Sequence, residues 1–300
     1  MIDQKKMEML RQAKEDSLQR VRNLVRDRHI HGVPEEIQID GRIHKVLHYP
    51  SGKETAPVYF DIHGGGFVWG MMEEGDLLCH HINEQLGFEV YALDYPLGPD
   101  VRFPAALFDL YEVIRYMRDN AVLFHIDPDR MAVGGRSAGG NLAAALCLLA
   151  KERGEFQFAA QVLDHPYLDL CGLIPGSQRY QEEGALPYEL MNELAAAYAE
   201  DEERKSILCS PLAADREELM DLPPAVIQTC EFDSLRQDGD QYAEKLLEAG
   251  VQTIHHCYPG VTHGFTELEG PEEIPGQNWL IEALGLLMLT EKYRKGSRNE

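Results

Sequence analysis

Gly135-Arg136-Ser137-Ala138-Gly139 is a G-x-S-x-G. It follows a run expected to be a strand, Arg130–Gly134, and opens a helix expected over Ala138–Arg153. A serine on so tight a strand-to-helix turn has its hydroxyl exposed, with a helix N-terminus beside it that favours developing negative charge. The glycines are needed because the turn is strained and bulky neighbours would clash. A glycine-rich turn with an N-cap serine could show the same five letters. Ser137 is therefore read as a nucleophile on the strength of what the rest of the chain supplies.

The first of these partners is His63-Gly64-Gly65-Gly66, directly after a strand expected at Pro57–Ile62. Three glycines let backbone N–H groups point into a cavity with no side chain in the way, as an oxyanion hole requires. Losing one such donor typically costs ~2.7–4 kcal/mol of transition-state stabilisation. The expected donors are Gly65 and Gly66, with the N–H of Ala138; Gly64 serves the turn. His63 is read as structural, holding the loop by hydrogen bonds. A flexible loop beside a core histidine is the plainer alternative.

A hydroxyl nucleophile needs a base, and the base an orienting carboxylate. Asp233 lies in Glu231-Phe232-Asp233-Ser234-Leu235-Arg236, just after a strand expected at Ala225–Thr229. His263 lies in Thr262-His263-Gly264-Phe265, after a strand expected at Thr253–Tyr258. Both fall past the carboxyl end of a strand, where open α/β sheets place their sites. Asp238 and Asp240, further into the next helix, are read as solvated surface charges. His255 and His256 lie within a strand, one expected to face the core and one a helix. The adjacent pairs His80-His81 and His255-His256 lack the i, i+4 spacing of helical metal ligands, and the six cysteines lack zinc spacing. There is no G-x-x-x-x-G-K-[ST] and no clean G-x-G-x-x-G. No metal, nucleotide or other cofactor is expected.

The elements that must hold these loops alternate in type. Residues 35–62 read as strands. Helices are expected at Glu74–Leu86, Ala105–Asp119, Gln237–Ala249 and about 277–294, and further strands at Glu89–Leu93 and Ala159–Leu163. This order implies a mostly parallel sheet with helices on both faces, an α/β class. Residues 165–222 interrupt it, with turn signals, a helix expected at Tyr188–Glu200 and no clear strand; such an insertion suits a substrate-covering cap. Residues 4–28 read as an amphipathic helix through Met7, Leu10, Leu18, Val21, Leu24 and Val25, either packed on the domain surface or serving as a lid. The expected division is an N-terminal cap segment over 1–40 and a catalytic domain over 41–300. No internal repeat or low-complexity tract is present.

The chain has 300 residues, 44% of them hydrophobic, which suffices for a sizeable core. Its formal net charge is −23. So negative a surface repels phosphate backbones and anionic lipids, which argues against nucleic-acid and membrane partners and for a small neutral substrate. The first 30 residues carry eight Lys/Arg against five Asp/Glu, a basic piece able to dock on the acidic remainder. Without a signal peptide pattern, a run of 18 apolar residues or a CxxC, a cytoplasmic location and free buried thiols are expected.

Four blocks together resemble the hormone-sensitive-lipase-like branch of the α/β-hydrolases, which includes bacterial carboxylesterases and acetyl esterases. They are His63-Gly64-Gly65-Gly66-Phe67-Val68; Asp94-Tyr95-Pro96-Leu97-Gly98-Pro99 with Phe103-Pro104-Ala105-Ala106; Gly135 through Ala143; and Asp233-Ser234-Leu235-Arg236 with His263-Gly264-Phe265. They span about 57–265 in the family's order, including the chain order Ser, acid, His. The resemblance implies an α/β-hydrolase fold with a helical cap and hydrolysis of short-acyl esters through an acyl-enzyme, without a cofactor. It also implies a homodimer paired through an edge strand. Arg136 stands where the family usually has Asp before the nucleophile, and Pro96 where it usually has Arg after Asp-Tyr. The exchange reads as a rearranged charge pair, with Arg136 an ion-pair partner rather than a substrate contact. An amidase or peptidase with the same triad, and a ligand-binding protein without catalysis, share this outline. The first usually needs specific peptide contacts, of which the sequence gives no sign; the second tends to lose a triad member, and all three are present.

Overall fold

The alternating apolar runs form one eight-stranded sheet in a computed structural model that describes residues 4–26, 29–182, 185–267 and 273–289. Helix α1 (Gln4–Arg26) leads into β1 (Val33–Ile39) and β2 (Arg42–Tyr49). Next come β3 (Ala56–Ile62), α2 (Asp76–Leu86), β4 (Glu89–Leu93), α3 (Ala105–Asp119), β5 (Ile126–Arg136), α4 (Ala138–Arg153) and β6 (Ala160–Asp164). A long excursion carries α5 (Tyr188–Tyr198) and the one-turn α6 (Arg216–Leu219). The chain then returns through β7 (Ala225–Phe232), α7 (Arg236–Glu248), β8 (Thr253–Thr262) and α8 (Glu273–Leu289).

The strand order is β1-β2-β4-β3-β5-β6-β7-β8, with β1/β2 and β2/β4 antiparallel and every other neighbour parallel. Parallel neighbours need crossovers, and the helices supply them while burying both faces. The period of two along β3 shows the division. Val58, Phe60 and Ile62 enter a core shared with α3, α4 and α7, and Tyr59 enters one shared with α2 and α8. Asp61, fully buried, is the one charge in that strand. Because the central strands run parallel, the chain segments leaving β3, β5, β6, β7 and β8 all emerge at one edge of the sheet.

The expected strands and helices fall where the periodicity puts them, with shifts at the ends. β5 begins at Ile126 rather than Arg130 because the polar lead-in Asp127–Arg130 pairs irregularly with β3, and Asp127 holds Arg130 at 2.6 Å. β1 lies inside the stretch assigned to the N-terminal segment, yet it pairs along its whole length with β2 as the sheet's edge strand. Positions 27–28 of the first expected helix and 290–294 of the last lie outside the described residues. Four cysteines are buried, but Cys171 and Cys257 are half-buried. Among the described residues no helix is long and apolar enough to cross a membrane.

α1 rests beside the glycine loop. Leu10 is buried with Val68, Leu194 and Ala197, while Arg11 Nε donates to Asp100 Oδ1 at 2.9 Å and Lys14 Nζ to Leu97 O at 3.4 Å. The basic segment thus meets an acidic anchor. Residues 165–222 contain no strand among those described. A buried ion triad ties their first part down: Arg179 reaches Asp169 at 2.9 Å, Asp238 on α7 at 2.7 Å and Ser234 O at 2.9 Å. Asp238 also accepts from the N–H groups of Leu168 and Asp169, and Asp169 from those of Gly172, Leu173 and Ile174. Asp238 is therefore no surface charge. It is fully buried because it shares a stripe of α7 with Tyr242 and Leu246, and Arg179 compensates it.

Removing the cation from such a site leaves two buried carboxylates unpaired, which typically costs about 3–5 kcal/mol. Arg179→Met is accordingly expected to lower the free energy of unfolding by about that amount in a urea titration. A loss below about 1 kcal/mol would show that the two carboxylates tolerate burial without Arg179.

Candidate active site

The turn at Ser137 is forced by its neighbours. Ser137 has φ 53 and ψ −115, backbone space that L residues avoid. Its N–H donates to Asp164 O at 3.0 Å, and its carbonyl accepts from Asn141 N at 3.1 Å and Tyr167 N at 3.0 Å. Gly139 makes the tight approach possible: a Cβ there would lie 2.1 Å from Ile62 O and 2.4 Å from His63 O. α4 is buried on all sides from Ala138 to Ala150, so the helix has no room to yield.

His63-Gly64-Gly65-Gly66 runs past this turn. Gly65, at φ 97, is required because any Cβ would lie 2.0 Å from Trp69 O, while Gly65 O accepts from the N–H groups of Val68 and Trp69 at 3.1 and 3.0 Å. Among the described residues, none of the turn and loop backbone hydrogen bonds uses the N–H of Gly65, Gly66 or Ala138. His63 is fully buried, its Nδ1 lying 2.8 Å from Gly64 O. Tyr95 stacks on its ring at 4.2 Å and donates to the carbonyls of His63 and Gly64 at 3.1 and 3.2 Å. Leu194 of α5 packs against Gly66, and Tyr198 stacks on Phe67 at 4.0 Å.

The loops after β7 and β8 bring Asp233 and His263 to Ser137. His263 Nε2 lies 3.0 Å from Ser137 Oγ, and its Nδ1 lies 2.7 Å from Asp233 Oδ2. The other oxygen of Asp233 accepts from Leu235 N at 3.0 Å. Burial pushes the Asp233 carboxyl up, but attraction to His263 and these hydrogen bonds outweigh it and hold the group below the usual carboxylate range. Asp233 therefore stands ionised beside the imidazole. With Nδ1–H donating to it, Nε2 is left to accept the serine proton.

The rivals go elsewhere. Asp240 binds Thr229 Oγ1 at 2.8 Å and His255 at 3.0 Å. His255 thus looks towards α7, whereas His256 packs on Trp279 of α8 at 5.1 Å. Neither faces the sheet core, because β8 is an edge strand.

A further ring of residues carries no motif. Asp164 ends β6 and His165 follows it. The His165 ring meets that of His263 edge-on, with centroids 4.6 Å apart. His165 Nδ1 lies 3.1 Å from Asp164 Oδ1. Burial lowers the His165 imidazole, yet Asp164 outweighs it and raises the group above its ordinary value. Asp164 also accepts from Gln228 Nε2 at 2.9 Å and Thr266 Oγ1 at 2.5 Å, and Gln277 Nε2 holds Thr266 O at 2.9 Å. Arg136 is an ion-pair partner, bound at 2.9 Å to Asp61 and 2.6 Å to Glu267. Two signals were available in the sequence: a lone Asp61 in an apolar strand, and an Asp-His pair at the carboxyl end of another. Nothing local marks Glu267.

A serine, histidine and aspartate in one hydrogen-bonded chain, at the carboxyl edge of a mostly parallel sheet, define an α/β-hydrolase. The chain belongs to that family: residues 59–267 match the alpha/beta hydrolase fold, in its hormone-sensitive-lipase-like branch. It is 35% identical over 223 residues to an arylesterase of Saccharolobus solfataricus, covering 73% of this chain and 71% of that protein. It is 33% identical over 227 residues to an ethyl acetate hydrolase of Pseudomonas putida, covering 74% and 71%. Among solved structures it resembles EstE1, a thermostable carboxylesterase cloned from a metagenomic library, with a TM-score of 0.86 and 29% identity over 94% of this chain and 98% of that one.

The elbow's packing is open to a direct measurement. Gly139→Ala is expected to cost about 1–3 kcal/mol in urea unfolding, because backbone rather than a flexible side chain must move. An unchanged urea midpoint would contradict the close approach.

Proposed function

We propose that this protein is a serine carboxylesterase acting on small, neutral, short-acyl esters such as acetyl esters. The observation that carries the reading is the hydrogen-bonded chain from Ser137 Oγ through His263 to Asp233. In this reading His263 takes the Ser137 proton as the hydroxyl attacks the ester carbonyl. Asp233 fixes the imidazole tautomer and stabilises its charged form. The N–H groups of Gly65, Gly66 and Ala138 receive the oxyanion. His263 then protonates the leaving alcohol, giving an acyl-Ser137. Water, deprotonated by His263, releases the acid and restores the serine. Each proton, whether from Ser137 or from water, is taken up by His263 and given back to the leaving alcohol or to the serine, so the cycle closes without a cofactor.

α1 and residues 165–222 form the cap in this reading. Leu10, Leu190, Leu194 and Trp69 gather beside the glycine loop, a short apolar ceiling suited to a small acyl group. The ethyl acetate hydrolase among the relatives fits the same range. The net charge of −23 favours a neutral ester over an anionic one. The reading extends to a cytoplasmic protein that pairs through an edge strand into a homodimer.

Ser137→Ala is expected to abolish hydrolysis of p-nitrophenyl acetate, and labelling by a fluorophosphonate probe, with the fold intact by circular dichroism. Full residual activity would discard the nucleophile assignment. Across a series of p-nitrophenyl esters, kcat/KM is expected to fall steeply from acetyl to octanoyl. The reverse order would refute the short-acyl claim.

A further inference from the structure

Asp61 and Arg136 lie on adjacent strands, β3 and β5, and face the side of the sheet covered by α2 and α8. Arg136 is 1% exposed and Asp61 fully buried. The guanidinium forks onto the carboxylate, Nη1 to Oδ1 and Nη2 to Oδ2, both at 2.9 Å. Its Nε, pointing the other way, donates to Glu267 Oε1 at 2.6 Å. The turn Met72–Gly75 closes over the pair, and a Cβ on Gly75 would lie 2.3 Å from Arg136 Nη2. One guanidinium thus holds three segments at once. Asp61 stands two residues before the glycine loop, Arg136 adjoins Ser137, and Glu267 lies four residues beyond His263. Glu267 N also donates to Gly264 O at 2.9 Å, which makes the turn after His263 a closed unit.

We infer that Arg136 is a positioning residue for the hydrolysis proposed above, on which this inference rests: by gripping Asp61 and Glu267 together it sets the separation between the turn carrying Ser137 and the loop carrying His263. Asp61, Glu267 and Glu74 surround a single cation. Burial and the charge of Glu267 raise the Glu74 carboxyl above its usual range, while burial of Arg136 is outweighed by Asp61 and Glu267, which keep it protonated. The planar fork suits the role, because a lysine ammonium is a point charge and cannot hold both directions in plane.

Glu267→Ala cuts the link to the His263 loop and leaves the buried Asp61–Arg136 pair in place; Glu267 is 23% exposed, so the variant is expected to fold. Its kcat on p-nitrophenyl acetate is expected to fall about 10- to 100-fold, as a displacement near 1 Å would produce, with KM within about twofold. The downfield proton resonance of the His263 Nδ1–H shared with Asp233 is expected to shift or broaden, while thermal unfolding stays cooperative. Glu267→Gln, which keeps an acceptor for Nε, is expected to restore most of kcat, whereas Arg136→Lys is not. Wild-type kcat in Glu267→Ala would overturn the inference, as would a kcat loss fully explained by a smaller folded fraction with the resonance unmoved. Absence of Ser137-dependent turnover in the wild-type protein would instead end the esterase reading itself.

Discussion

The backbone of Ser137 is held at φ 53 and ψ −115, at a cost on the order of 1–3 kcal/mol, by surroundings that leave it no way to relax. Asp164 O anchors it from β6, Asn141 and Tyr167 hold its carbonyl, and α4 behind it is buried on every side. The strained turn aims the hydroxyl out of the sheet edge, and the other parts of the site are placed relative to it. The segments leaving β3, β7 and β8 reach Ser137 because parallel strands deliver their carboxyl ends to the same edge. Had the sheet been antiparallel here, the glycine loop, Asp233 and His263 would be divided between opposite ends.

Buried acids near the site each have a basic partner although the whole chain carries −23. Asp233 faces His263, Asp164 faces His165, Asp61 and Glu267 share Arg136, and Asp169 and Asp238 share Arg179. These groups sit in or next to loops that emerge at the site edge. Buried pairs of this kind add little net stability compared with well-packed apolar side chains, but they penalise misplacement strongly. They therefore act more on where the loops are than on whether the protein folds. The two triads divide the work, with Arg136 linking the glycine loop to the histidine loop and Arg179 linking the long excursion to the segment after Asp233.

Much of this was legible because the signals are local. Apolar runs and glycine punctuation mark β3, β5 and α4, and candidates for the three interacting side chains could be chosen from loops past strand ends. Arg136 could be read as an ion-pair partner, but which groups it joins could not, because they lie far apart in sequence: Arg136 is 75 residues from Asp61 and 131 from Glu267. The misreading of Asp238 has a different cause. Its register with Tyr242 and Leu246 places it on the buried stripe of α7, but a carboxylate in a helix's first turn reads as solvated until its cation is known. β5 starts before Arg130 because residues 126–129, which have no strand pattern of their own, also belong to it.

The guanidinium of Arg136 also constrains how this sequence can drift. A change to a neutral residue at position 136 leaves Asp61 buried without its cation, whereas a change at position 61 leaves a buried cation with Glu267 as its remaining hydrogen-bonded partner. Neither step passes without a penalty of several kcal/mol. The three positions are therefore expected to evolve as a block, and a descendant with a different residue before its serine would carry matching replacements in β3 and after its histidine.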